Sequence, residues 1–151
     1  GVVSGFSVLV FLMYLAITST NDYGKIRQEI EKMNNNVLML RRNEKDFILR
    51  KDLKYKIKFE KNYKKLDSKI KTIKSLLKNY DIETHEFQRF NLITKDYKKI
   101  FFNYIKLQEE IGLDEKSGLN NILRQNVQKV QEAGISKEQN INNTLAEITT
   151  E

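Results

Sequence analysis

Residues 59–80 read FEKNYKKLDSKIKTIKSLLKNY. Apolar side chains recur at Phe59, Tyr63, Leu66, Ile70, Ile73, Leu77 and Tyr80, in alternating steps of four and three, and lysines fill nearly half of the positions between them. A half-buried strand would alternate in twos, whereas steps of four and three keep one face of an α-helix continuous. The segment is an amphipathic helix with the seam of a bundle or coiled coil. Upstream, the same spacing links Ile26, Ile30, Met33, Val37, Leu40 and Phe47, with Glu44 standing where a further apolar residue is expected. Downstream it links Phe90, Ile93, Tyr97, Ile100, Tyr104, Leu107 and Ile111. A weaker fourth seam reads Leu119, Leu123, Asn126 and Val130, and a last short stretch carries Ile141, Leu145 and Ile148.

Breaks are predicted at 51–52, 79–84, 112–117 and 134–136. Gly112 suits the left-handed end of a helix, while Ser117 and Ser136 suit N-caps. Short connections make neighbouring helices antiparallel. The expected fold is all-α: an up-down antiparallel four-helix bundle over 21–135, preceded by a transmembrane helix at 1–20 continuous with the first bundle helix. Residues 136–151 read as the start of a further, truncated helix.

Composition narrows the chemistry. The chain has 151 residues, no cysteine, no proline and one histidine, His85. Disulfide frameworks and thiolate-held metals need cysteine, and triad hydrolases or multi-histidine metal sites need imidazole beside other catalytic groups. No catalytic residue, metal ligand or cofactor is expected, and the chain is not read as an enzyme. The formal charge of +7 is local in origin: residues 45–78 hold 13 Lys/Arg against 4 Asp/Glu. Lys54, Lys58, Lys61 and Lys65 lie off the Phe59 seam, so periodicity makes them a solvated face with snorkelling flanks. Nucleic-acid binding would want aromatics on that basic face, and here they lie on the opposite one, so no nucleic-acid partner is expected.

Residues 2–18, VVSGFSVLVFLMYLAIT, carry no charge. Twenty helical residues rise roughly 30 Å, the thickness of a bilayer's hydrocarbon core. A lipid-embedded N-terminal helix is expected, and the initial Gly reads as the interior of a longer protein. Charge counting does not orient it.

The most informative cluster is RRNEKDF at 41–47. Buried charges are costly unless paired, so one reading is a structural ion network of Glu44, Asp46 and Arg124 that fixes helix register. Arg42 and Asp46 stand four apart and can pair along the helix. The other reading is a pocket for a small carboxylate, because guanidinium presents a planar fork that matches one. Antiparallel registration puts Arg42 level with Tyr63, Tyr104 and Asn126. Arg41, Arg42, Lys45, Tyr63, Tyr104 and Asn126 are the candidate ligand-binding residues.

The string LMLRRNEKDFILR at 38–50, followed by Lys51, Asp52 and Tyr55, resembles the signature of the extracytoplasmic sensor region of bacterial chemoreceptors of the helical bimodular type. Gly112-Leu113-Asp114, Gly118-Leu119, Leu123-Arg124 and Val127 are similar to that family's turn and following helix. Gln128 and Gln131 depart from the His and Glu often found there. The resemblance implies the N-terminal part of a methyl-accepting chemotaxis receptor, or less often a sensor histidine kinase. Such a protein sits in the bacterial inner membrane with its helical domain in the periplasm, binds a small organic acid and works as a homodimer. Two competitors remain: a membrane-tethered structural or adaptor bundle with no ligand, and a cytoplasm-facing anchor whose basic helix touches anionic lipid.

Overall fold

A computed structural model describes residues 23–81 and 84–150. All regular structure in them is helical: α1 (Tyr23–Arg50), α2 (Lys54–Asn79), α3 (His85–Ile111) and α4 (Gly118–Thr149). The chain divides into two compact units, one ending at Ile105 and one beginning at Lys106.

In the first unit, α1 and α2 form an antiparallel hairpin. Glu29 of α1 meets Lys69 of α2 at 2.8 Å and Asn43 meets Asn62 at 2.7 Å, so the partners descend α2 as they climb α1. Their seams form the core that periodicity predicts: Ile26, Ile30, Met33, Leu40 and Phe47 from α1 and Phe59, Leu66, Ile70, Ile73 and Leu77 from α2 are all buried. The turn is built by local chemistry. Lys51 ends α1 with φ 53°, its N–H donating to the Phe47 carbonyl at 2.7 Å. Asp52 then accepts the N–H of Lys54 at 2.9 Å, capping the first turn of α2.

The third helix buries only part of the face its spacing predicts. Phe87, Phe90, Thr94, Phe101 and Ile105 are buried, while Ile100 and Leu107 of the predicted seam are 68% and 57% exposed. The helix carries apolar residues on two faces, and its large rings win the interior. Phe59, fully buried, lies 4.6 Å from Phe101, 5.5 Å from Tyr97 and 5.9 Å from Phe102, centroid to centroid, and Phe47 lies 5.9 Å from Phe101. Rings have more apolar area to remove from water than aliphatic chains, and offset or edge contacts add about 0.5–1.5 kcal/mol each.

The second unit is organised by a tight turn. Gly112 has φ 112° and Gly118 φ 55°, both in the region that favours glycine. Ser117 occupies the N-cap position of α4, but its hydroxyl serves the turn, accepting the N–H of Asp114 at 3.3 Å. Asn120 donates to the carbonyls of Gly112 and Asp114 at 3.2 and 3.3 Å. No residue of α4 is buried. The helix runs unbroken through Gly134 and Ser136, where the sequence predicts an interruption. Glycine inside a helix costs only about 1 kcal/mol relative to alanine, too little to end one whose neighbours are good helix formers.

The membrane placement requires correction. Among the described residues no helix is long and apolar enough to cross a membrane. All four are amphipathic, with charged side chains along their length, so none of them supports a bacterial inner-membrane span with a bundle facing the periplasm. The expected transmembrane helix at 1–20, and its continuity with α1, lie outside the described residues.

Phe59→Ala is expected to cost about 3–5 kcal/mol in urea denaturation, because the surrounding rings cannot collapse into the void. Gly118→Ala is expected to cost about 1–3 kcal/mol: the backbone conformation is unfavourable, and a Cβ there would stand 2.6 Å from the Glu110 carbonyl oxygen. A wild-type denaturation profile for either variant would contradict the packing described.

Candidate functional site

Along α1, Met39, Arg42, Asn43, Asp46 and Arg50 follow one another at helical spacing and share one edge. Along α2, Tyr55, Lys58, Lys61, Asn62 and Lys65 do the same, and the two edges enclose an open groove of about 460 Å³. The groove is attached to the core at two points. Asn62 donates its side-chain N–H to Asn43 Oδ1 at 2.7 Å, and Asn43 is buried. Tyr55 is also buried, with the Arg50 guanidinium 6.0 Å and the Lys58 ammonium 5.4 Å from its ring centroid.

The electrostatics of this groove are lopsided. Arg42, Arg50, Lys58, Lys61 and Lys65 line it together with a single carboxylate, Asp46. Among the described residues none of the five forms an ion pair within 4.0 Å, and Arg42 and Asp46, four apart on one helix, do not pair with each other. Five cations and one carboxylate leave an excess of positive charge facing solvent in a concave site. Such a site attracts small anions and strengthens hydrogen bonds to them.

The remaining predicted residues lie elsewhere. Glu44 accepts a hydrogen bond from the Tyr97 hydroxyl on α3 rather than from an arginine. Burial pushes the Tyr97 phenol well above the ordinary value, and the Glu44 carboxylate pushes it the same way, opposed by the positive charge of Arg41. Arg41 thus acts on the α3 side of the helix while Arg42 lines the groove with α2. Lys45 is exposed. Tyr63 lines a separate cleft of about 430 Å³ with Lys98 and Phe102, and the Lys98 ammonium sits 4.8 Å from its ring centroid. Tyr104 accepts a hydrogen bond from the Lys51 ammonium at 2.9 Å. In the second unit, Asn126 donates to the Ile122 carbonyl of its own helix at 3.0 Å, and Arg124 stands 3.8 Å from Glu115.

Within the first unit, then, Arg42 and Asp46 share a groove while Tyr63 and Tyr104 occupy other surfaces. Arg50, Tyr55, Lys58, Lys61, Asn62 and Lys65 complete that groove and were not singled out as ligand-binding from the sequence. Their signal was present: Lys58, Lys61 and Lys65 form a stripe of threes and fours flanking the seam. Asn43 stands three positions after Leu40, in phase with the core, whereas the predicted seam runs through Glu44. The structure divides that step, burying Asn43 and half-burying Glu44.

No protein-family model, no curated protein and no solved structure matches the chain.

The raised phenol value gives a pH prediction with a definite sign. Tyr97 stays protonated in the folded chain where an unfolded one would begin to ionise, so its contribution is complete below the ordinary phenol value of 10.0 and is lost as pH rises through the folded value. Wild type is expected to lose stability above pH 10 more steeply than Tyr97→Phe, measured by urea denaturation across the alkaline range. Parallel curves would contradict the upward shift of the Tyr97 phenol by burial and by Glu44.

Proposed function

We propose that this chain is the ligand-sensing helical module of a chemotaxis receptor, or less often of a sensor histidine kinase, and that it takes a small organic acid in the α1–α2 groove. The observation that carries the reading is the excess of unpaired cations around a concave site of about 460 Å³, a size suited to a small molecule. Support also comes from the sequence, because the string at 38–50 that resembles the chemoreceptor signature supplies one wall of the groove. No catalytic step is assigned to it.

In this reading Arg42 and Arg50 offer planar forks to a carboxylate, while Lys58 and Lys61 act as point charges from the facing helix. Asp46 disfavours a second carboxylate close to it and accepts a hydrogen bond from a ligand hydroxyl. Without ligand the like charges on the two helices repel, and an anion between them relieves that repulsion. A ligand shifts the position of α1 against α2 only through different affinities for the two arrangements, and relief of repulsion is such a difference. The finer architecture belongs to the same proposal: an up-down bundle of four helices, with the exposed apolar positions of α3 and α4 as its supporting observation.

A second reading, a structural bundle with no ligand, is favoured by the satisfied polar pairs Glu44–Tyr97 and Asn43–Asn62, which set register without needing a guest. A thermal-shift series with C2–C4 mono- and dicarboxylic acids separates the two. The sensor reading expects a rise in Tm of a few degrees for at least one acid, since saturation at 100 times Kd is worth about 2.7 kcal/mol. It also expects that rise to vanish in Arg42→Ala/Arg50→Ala. No stabilisation by any acid, or undiminished stabilisation in the double variant, leaves the structural bundle standing.

A further inference from the structure

The carboxylate groove does not end at Lys65. A second concavity of about 510 Å³ continues from it between the same helices, toward the start of α1, and Lys65 lines both. The extension adds Lys32 from α1 and Lys64 and Lys69 from α2. From Lys32 to Arg50 the track covers 18 helical steps, about 27 Å. Eight cations line it.

The carboxylates facing this track are few. Asp46 lies in the first half. Glu29, at the far end, accepts hydrogen bonds from both Lys69 at 2.8 Å and Lys32 at 3.3 Å, and these lysines hold its carboxyl below the usual carboxylate range, the Lys69 bond most strongly. One carboxylate shared by two ammonium groups fixes them in place and leaves a net positive charge there. Asp67, the next acid along α2, is engaged by Lys71 at 2.7 Å. The track is thus a line of cations far longer than a C2–C4 acid, and such an acid fills only one end of it.

We propose that the whole α1–α2 track binds a linear phosphate polymer, inorganic polyphosphate, in register with its cations. The choice of a bare phosphate chain over a nucleic-acid strand follows from the rings. Strand binding without sequence preference uses aromatic platforms on which bases stack. Among the described residues Tyr55 is the one aromatic residue lining the track; it is 6% exposed, and Arg50, Lys54 and Lys58 all lie within 6.0 Å of its ring centroid. A base gains nothing here, whereas closely spaced phosphates meet a cation at each turn of α2 from Lys58 to Lys69, with Lys32, Arg42 and Arg50 facing them from α1. The inference goes beyond the organic-acid reading and uses only one half of the track in common with it.

The test is fluorescence anisotropy of the chain with labelled long-chain polyphosphate, with tripolyphosphate and a single-stranded oligonucleotide of matched charge as competitors. Long-chain polyphosphate is expected to bind at least about tenfold more tightly than either competitor. Its affinity is expected to fall by about 10³-fold between 50 mM and 200 mM salt, as counterion release from six or more neutralised phosphates requires. Lys32→Gln/Lys64→Gln, which leaves the first groove untouched, is expected to weaken polyphosphate at least about tenfold, and Lys32→Arg/Lys64→Arg to retain wild-type binding. Equal affinity for tripolyphosphate, equal or tighter binding of the oligonucleotide, or wild-type binding by the glutamine variant would each overturn the proposal. The organic-acid thermal shift is read in parallel on the wild-type chain. Its absence in a chain that still distinguishes polyphosphate chain length would sink the sensor reading while leaving this one intact.

Discussion

Phe59 decides how three helices of this chain can be arranged. Its ring is fully buried and meets rings of α3 at Tyr97, Phe101 and Phe102. Phe47 of α1 reaches the same Phe101 from the other side. Because edge and offset contacts are directional, this cluster fixes the rotation of each helix as well as its presence in the core. Once Phe47 and Phe59 point inward, Arg42, Asp46 and Arg50 on α1 and Lys58, Lys61 and Lys65 on α2 have only the outer edges of the hairpin left to them. The charge pattern of the groove is therefore a geometric consequence of the aromatic core.

That arrangement concentrates repulsion, and the structure shows how it is tolerated. The Lys58 ammonium and the Arg50 guanidinium lie over the Tyr55 ring, so part of what the side chains lose in mutual repulsion is regained as cation–π attraction. Lys98 and Lys56 do the same over Phe102 on the other side of α2. The turn uses a comparable exchange. Lys51 adopts a left-handed backbone conformation that costs a non-glycine residue about 1–2 kcal/mol, and its ammonium donates to Tyr104 while lying 5.2 Å from that ring's centroid. Glycine there would relieve the backbone and lose the tie between the turn and α3.

The seams of α1 and α2 were legible because each has one apolar stripe and charge nearly everywhere else. In α3 spacing holds only in part: Phe90 of the predicted seam is buried, but farther along Phe101 and Ile105 are buried while Ile100 and Leu107 are exposed, because spacing alone does not rank a side chain against an apolar neighbour one position away. Gly134 makes no break because glycine weakens a helix without ending it, unlike Gly112 and Gly118, whose positive φ values are needed by the turn. For the candidate site, Arg42 and Asp46 stand out in the sequence as a cluster, but the charged and phenolic groups predicted at their level do not all converge on one axis. Side chains on adjacent positions diverge by about a hundred degrees on a helix of 3.6 residues per turn. Arg41 and Arg42 accordingly serve different neighbours.

The same divergence explains why the buried pair Asn43–Asn62 matters beyond its own hydrogen bond. Asn43 stands between Arg42, which lines the groove, and Glu44, which bonds Tyr97 of α3, so it occupies the point on α1 where the polar edge meets the core. An apolar contact at this position would permit α1 to slide against α2 at little cost, because hydrophobic attraction is not directional. A directional bond between two partly buried amides does not, since sliding leaves both groups desolvated and unpaired. The pair therefore holds the facing rows of cations at one register, and displacement of α1 along α2 has to break it. Any anion that moved the helices would have to supply at least that much from its own differential contacts.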